Sequence, residues 1–375
     1  MTSAFTAIPA TFDRWVVGAC VQHDALRVSD FVRESLPMPA VPTGAALVRI
    51  RLLNIHSATR QRIVRGTVAA GQTESRNYAC GEVVASRDTA FAVGVLIACQ
   101  AGWQQYQLVS SQDLPVGFSE ANELVRVVNR TRSPWMYVFR PEMVRMWTPD
   151  VLLDVFGTSG MVAYFGLREN GPVTPRDTIA VGAASGSVGS LIAQLAKASG
   201  ARVVGFAGGS DRCRELVMLL GIDDCVDYQS ATLDDDLRKA FPEGIDLFAD
   251  GVGGGFTEKL VRLMNRHGRL LSYGAAAASY APAMEASNAK SVRQHYGISD
   301  EVERLLREKH IKSGTWTVDA FYQDRLRAED DLSRALIMGQ LKPHHIVVRG
   351  FDALPQAVVD LYAGKRRGKL QISFD

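Results

Sequence analysis

The stretch Thr178–Cys213, "TIAVGAASGSVGSLIAQLAKASGARVVGFAGGSDRC", decides the fold. An apolar run, "TIAV", meets a turn of small residues. A helix opens at "SVGS", and a second apolar run, "ARVVGF", follows it. Strand, turn, helix and strand at this spacing form the repeating unit of a parallel sheet. In the turn, Ala184, Gly186 and Gly189 stand where a dinucleotide-binding turn usually carries three glycines. Gly186 lets backbone approach a pyrophosphate, and Gly189 lets helix and sheet pack closely. The helix start at Ser187 and Val188 presents free N–H groups and a partial positive charge to phosphates.

The same alternation continues downstream, through helix "DRCRELVMLLG", strand "CVDY", helix "LDDDLRKAF", strand "IDLFAD", helix "FTEKLVRLM" and strand "GRLLSYG". This context turns a weak glycine motif into a strong one and predicts a doubly wound parallel α/β sheet. The second strand then sets the cofactor. An Asp or Glu at its end would bind the adenosine ribose 2′-OH and repel a 2′-phosphate. Here the strand ends on Gly208, Gly209 and Ser210, with Arg212 just beyond. Small residues make room for a 2′-phosphate and a cation pairs with it, so NADPH is expected over NADH. Arg212 is the expected partner, Arg214 is a second possibility, and Tyr228 in "DYQS" is placed to contact the ribose or phosphate. Gly274 closes the candidate set at the end of "GRLLSYG".

The totals bound the remaining choices. At 375 residues the chain suggests two domains. A formal charge of +2 implies no broad electrostatic footprint for nucleic acid or an anionic membrane. The five cysteines lie far apart with no C-x-x-C pair, which removes the usual zinc spacings and any disulfide framework. The N-terminal residues lack a signal-peptide pattern, and no apolar run reaches the roughly 18 residues of a membrane span. A soluble, cytoplasmic protein is expected. The charged stretch "SDEVERLLREKH" reads as a helix with a solvated face. From about residue 45 to 110 the chain reads as strands and turns. Its tail offers strand "KSGTWTV", helix "RLRAEDDLSRALIMG", strand "HHIVV", helix "LPQAVVDLYAG" and strand "KLQISF".

With "FGTSGMVAYFGL", "GAASGSVGS", "VVGFAGGSDRCR", "LLGIDDCVDY", "DGVGGGFTEKLVRLM", "GRLLSYGA" and "GFDALPQAVVDLYAGKRRGKLQI", the chain resembles the zinc-independent medium-chain dehydrogenase/reductase superfamily. Within it, the likeness is to the branch of leukotriene B4 dehydrogenases, prostaglandin reductases and alkenal double-bond reductases. The resemblance covers most of the chain after Gly157 and, more loosely, residues 47–110. It implies a partly open, GroES-like β-barrel catalytic domain over 1–147, a Rossmann NADPH-binding domain over 148–339, and a return to the catalytic domain over 340–375. It also implies a homodimer and a substrate cleft between the domains. The zinc-ligand segment of the wider superfamily reads "ACGEVV" here, with Cys80 where His would stand, so no zinc is expected.

Without a metal, carbonyl reduction lacks its Lewis acid. Hydride can instead add to the far carbon of a polarised C=C if donors stabilise the developing enolate oxygen. In the resembling reductases a Tyr after a "GAIS" segment serves there. Here "GAAAASY" places Tyr280 one residue later, and it is the candidate donor, with a packing role equally open. On the substrate side a family segment near "VDPYMR" becomes "SATRQRI", bringing Arg60, with Arg62 and Arg65 nearby. "PWMYVF" supplies aromatics that could line a large apolar pocket. These changes suit a large unsaturated small molecule with an acidic or enolised head group near Arg60, or else solvated loop arginines. A few relatives act in bacterial polyketide and macrolactam assembly, where hydride addition triggers ring closure. A reductive cyclase acting on such a tetramate is therefore a specific candidate. A quinone oxidoreductase and a non-catalytic NADPH-binding sensor are the competing readings.

Overall fold

The computed structural model describes residues 7–19, 21, 25–56, 58–113, 133, 135–170, 172–275, 298–313, 318–366 and 368–375. Contacts divide the chain into two units: Met1–Leu153 with Ile346–Arg366 and Leu370–Asp375, and Asp154–His345 with Arg367–Lys369. The crossings lie a little C-terminal to residues 147 and 339, and hydrogen bonds explain both. The Asn54 amide donates to Leu153 O at 3.3 Å and Gln371 to Asp150 O at 3.0 Å, which keeps residues up to 153 in the first unit. Gln194 grips the Lys342 backbone through bonds of 2.8 and 3.1 Å, which keeps that segment in the second.

The first unit is antiparallel. Its strands are β1 (Thr11–Val17), β2 (Phe31–Pro37), β3 (Ala46–Asn54), β4 (Asn77–Ser86), β5 (Leu96–Ala101), β6 (Tyr106–Val109), β7 (Met136–Val138), β14 (His345–Arg349) and β15 (Lys369–Ser373). β1 and β2 form a ribbon, while the order β14-β15-β3-β4-β5-β7, with β6 also paired to β3, gives the strands of a partly open barrel. Slips in register at Leu47/Val48 and Ile50/Leu52 mark bulges, the usual means of curving such a sheet. Val48, Ile50, Leu53, Ile97, Trp103, Leu370 and Ile372 fill its core, so the last strand belongs to this core. The "PWMYVF" aromatics do not behave as expected of pocket-lining residues. β7 pairs with β5, and Trp135, Tyr137 and Phe139 are 4%, 2% and 3% exposed, packed as core.

The second unit carries β8 (Thr178–Val181), β9 (Arg202–Ala207), β10 (Asp224–Asp227), β11 (Ile245–Asp250), β12 (Met264–Ser272) and β13 (Lys312–Ser313) in the parallel order β10-β9-β8-β11-β12-β13. Its central strands β8, β9 and β11 are apolar on both faces, as a sheet covered by helices on both sides requires. The connecting helices are α5 (Ser187–Ala198), α6 (Ser210–Leu220), α7 (Leu233–Ala240) and α8 (Gly255–Leu263). α6 stops at Gly221, whose φ of 65° is the left-handed C-terminal cap that glycine adopts without strain. The chain runs outward from β8 in one direction and from β11 in the other, so the β8/β11 boundary is the topological switch where such sheets bind ligands.

The charged stretch forms α9 (Asp300–Glu308), capped by Ser299 Oγ, which accepts from Val302 N at 3.2 Å. One face carries the Arg304 pairs to Glu301 and Glu308, while Val302, Leu305 and Leu306 sit in the core with Phe248 and Leu270. The solvated reading therefore holds for that one face. No helix among the described residues is long and apolar enough to cross a membrane.

Candidate dinucleotide-binding site

The candidate cofactor residues fall at the carboxyl ends of β8, β9, β10 and β12, all within the second unit. After β8 the chain turns through Ala183, whose φ of 52° is left-handed and costs an alanine some strain. Two contacts hold this turn. Gly186 N donates to Ala183 O at 2.8 Å, and the Tyr273 hydroxyl donates to Gly182 O. Ala184 is fully buried, Gly186 is the N-cap of α5, and Ser187, Val188 and Gly189 form its first turn. A Cβ on Gly189 would overlap Ala183 O and lie 2.7 Å from Tyr273 Oη, so only glycine lets α5 sit this close to the turn.

Tyr273 and Asp250 are supports that sequence reasoning did not single out. Asp250 ends β11 with no solvent exposure. Its carboxylate accepts from Val252 N at 2.8 Å, Gly253 N at 3.0 Å and the Thr257 hydroxyl, and burial pushes its pKa up. Backbone N–H groups of Tyr273 and Gly274 donate to Asp250 O, and Gly274 packs against Gly251 O. The Tyr273 ring lies 2.5 Å from where a Cβ on Gly251 would stand, and burial also raises its phenol pKa. A buried acid followed by glycines in "DGVGGG" was the available sequence signal. The Tyr273 contact links positions far apart in the chain and left none.

At the end of β9, Gly209 has a φ of 93°, which a side chain would strain, and Ser210 begins α6. Gly208 faces Tyr228: a Cβ there would come within 2.9 Å of Tyr228 Oη, and Tyr228 is 47% exposed. Asp227, the nearest acid, is occupied by backbone, accepting from Gly209 N at 2.8 Å and Gln229 N at 2.9 Å. The two arginines of α6 separate clearly. Arg214 pairs with Asp211. The half-buried Arg212 has a buried Nε without a hydrogen-bond partner among the described residues. A buried, unsatisfied guanidinium nitrogen beside a glycine-lined cradle fits an anionic ligand group. The turn, the cradle and Arg212 thus fit a dinucleotide with a 2′-phosphate.

The substrate-side candidates are not all brought into view. Tyr280 lies outside the described residues. Arg60 is half-buried on α1 (Thr59–Val64) of the first unit. Arg62, beside it, is held by Glu74, with Nη2 and Nε at 2.6 and 2.8 Å from the same carboxylate oxygen, and Glu74 is 1% exposed. Cys80 lies in β4 opposite Leu52 and Ala98, fully buried, and burial raises its thiol pKa far above the usual range. Among the described residues, no three His, Cys, Asp or Glu side chains gather into a metal-holding group.

The profile of the family described as zinc-binding dehydrogenase matches residues 187–308. The NADPH-dependent curcumin reductase of Escherichia coli is 27% identical over 381 residues, covering 96% of each chain. Prostaglandin reductase 1 of Bos taurus is 27% identical over 348 residues, covering 91% of this chain and 93% of its own. Among solved structures, CurA from Vibrio vulnificus in complex with NADPH superposes with a TM-score of 0.74 at 25% identity, covering 97% of this chain and 99% of that one. With a six-stranded parallel sheet and an antiparallel barrel completed by the last strand, the chain is similar over nearly its whole length to the prostaglandin and curcumin reductases, and over residues 187–308 to the zinc-binding dehydrogenase family.

Proposed function

We propose that this protein is an NADPH-dependent reductase that adds hydride to a polarised C=C of a large conjugated carbonyl substrate. The observation that carries the cofactor half is the acid-free end of β9 followed by Arg212, whose buried Nε has no hydrogen-bond partner among the described residues. Relatives named as NADPH-dependent or solved with NADPH support it. Arg212 and Tyr228 would hold the 2′-phosphate and the turn from Ala184 to Gly189 the pyrophosphate. Bound NADPH supplies the hydride. The protein's task is to orient the acceptor and to stabilise the oxygen on which charge develops, a role proposed for Tyr280, with Arg60 drawing an acidic head group.

Addition to C=C rather than C=O is favoured by the resemblance to double-bond reductases. The lack of any C-x-x-C pair, and Cys80 standing where His would in "ACGEVV", support zinc independence. Ring closure after hydride addition, on a polyketide or tetramate macrolactam, is the finer form of this reading and rests on the altered segment around Arg60. A quinone acceptor would use the same fold and cofactor, and comparison of acceptors separates the two.

The test is titration of NADPH and NADH into wild type and Arg212→Ala. Charge-assisted bonds to the 2′-phosphate give an expected preference of roughly ten- to 150-fold, or roughly 1.5–3 kcal/mol, largely lost in the variant. Equal affinities in wild type reject the reading. Turnover should also survive chelation; activity lost to EDTA and restored by zinc would overturn the metal-independent mechanism.

A further inference from the structure

Behind the phosphate turn runs a line of polar side chains that the cofactor reading above does not use. Lys369, at the start of β15, is 8% exposed and belongs with the second unit. Its ammonium lies 3.4 Å from Asp154 Oδ1 and 3.4 Å from Ser159 Oγ. Asp154 is 1% exposed and meets His345 Nδ1 at 2.9 Å through its other oxygen. Ser159 sits in the first turn of α4 (Thr158–Glu169), and its Oγ is 2.9 Å from Ser187 Oγ. Ser187 is the first residue of α5, directly after Gly186.

We propose that Lys369 and Ser159 are positioning residues that orient the Ser187 hydroxyl as a hydrogen-bond donor to the cofactor's pyrophosphate. The proposal rests on the NADPH reading and deepens it. Two facing serine hydroxyls have no fixed direction, since either oxygen can donate. An ammonium has three donors and no acceptor, so Ser159 Oγ must accept from Lys369. The single Ser159 proton is then directed onto Ser187 Oγ, and the Ser187 proton is left to point away from Ser159, at the helix N-terminus where a phosphate is drawn. In the reverse order Ser159 Oγ would accept from both Lys369 and Ser187, and its own proton would lose the Ser187 acceptor. Asp154 and His345 stand behind the lysine and fix its place. At Asp154 burial pushes the carboxyl up, but Lys369 and His345 outweigh it and hold the group below its usual range. At Lys369 burial prevails over Asp154 and lowers the ammonium. The relay thus passes the polarity of a buried cation to the phosphate turn without placing a full charge there.

The experiment measures binding of NADPH and of adenosine 2′-monophosphate, which keeps the 2′-phosphate and lacks the pyrophosphate. Ser159→Ala should raise the NADPH Kd by about 5- to 10-fold, the scale of one ordinary hydrogen bond, since the Ser187 hydroxyl remains and only its orientation is lost. It should leave adenosine 2′-monophosphate affinity unchanged. Ser159→Thr, which keeps the hydroxyl, should restore NADPH affinity. Equal weakening of both ligands would reveal a merely structural residue and overturn the proposal, as would an unchanged NADPH Kd in Ser159→Ala. Wild-type protein that binds no NADPH would instead overturn the cofactor reading itself, before any variant is compared.

Discussion

Arg212 on α6 and Arg62 on α1 are both cations that the chain places beside a candidate ligand site, and the fold treats them in opposite ways. Arg212 keeps a buried Nε without a partner among the described residues, because Asp211 is taken by Arg214 one turn along the same helix. Arg62 is consumed by Glu74, an acid delivered from outside its helix and almost completely buried. A cation near a site is available to a ligand only when the fold brings it no carboxylate. At the nucleotide end the relevant acids are near in sequence and can be read there. On the substrate side they arrive through tertiary structure.

The sharpest way to test the charge order on the nucleotide side is to break its buried pair. Asp154→Asn leaves the Lys369 ammonium buried without its carboxylate, and removing one partner of such a pair costs about 3–5 kcal/mol, read by urea unfolding at pH 7. The pH dependence has a definite sign. The folded pKa of Asp154 lies below its unfolded value, so its contribution is fully present above about pH 4 and lost as pH falls through the lower folded value. The difference between wild type and variant should therefore shrink in acid. A difference that grows as pH falls would mean that Asp154 is not held ionised.

The substrate side should respond in kinetics and not in cofactor affinity. Tyr280→Phe keeps the ring and removes only the hydroxyl, so turnover should drop by about 10²-fold, the scale of one preorganised donor or acid, with NADPH Kd nearly unchanged. Arg60→Ala should have the smaller effect, raising KM for an acidic substrate by roughly tenfold with kcat little changed, as expected for uniform binding lost. If either variant changed NADPH affinity more than turnover or KM, the division between the two regions would be wrong.

How much the chain discloses follows the same division. The strand–turn–helix of Thr178–Ala198, the acid-free end of β9 and the alternation that builds the parallel sheet are local patterns, and the structure places them as read. The supports of the turn are non-local. Tyr273 meets Gly182 across 91 positions and Lys369 meets Ser159 across 210, so no spacing rule could join them. The burial of the "PWMYVF" aromatics is non-local in the same way. Exposure depends on which strand pairs with β5, and that pairing buries Trp135 and Tyr137 in the core.

The central claim is that hydride passes from NADPH to an alkene carbon, and isotope tracing addresses it most directly. NADPH carrying deuterium at C4 of the nicotinamide, supplied with an extended conjugated carbonyl compound, should place the label on the carbon at the end of the conjugated system and leave the carbonyl group in the product. Label on a carbinol carbon would show ketone reduction and contradict the account, even with the fold and the cofactor preference intact.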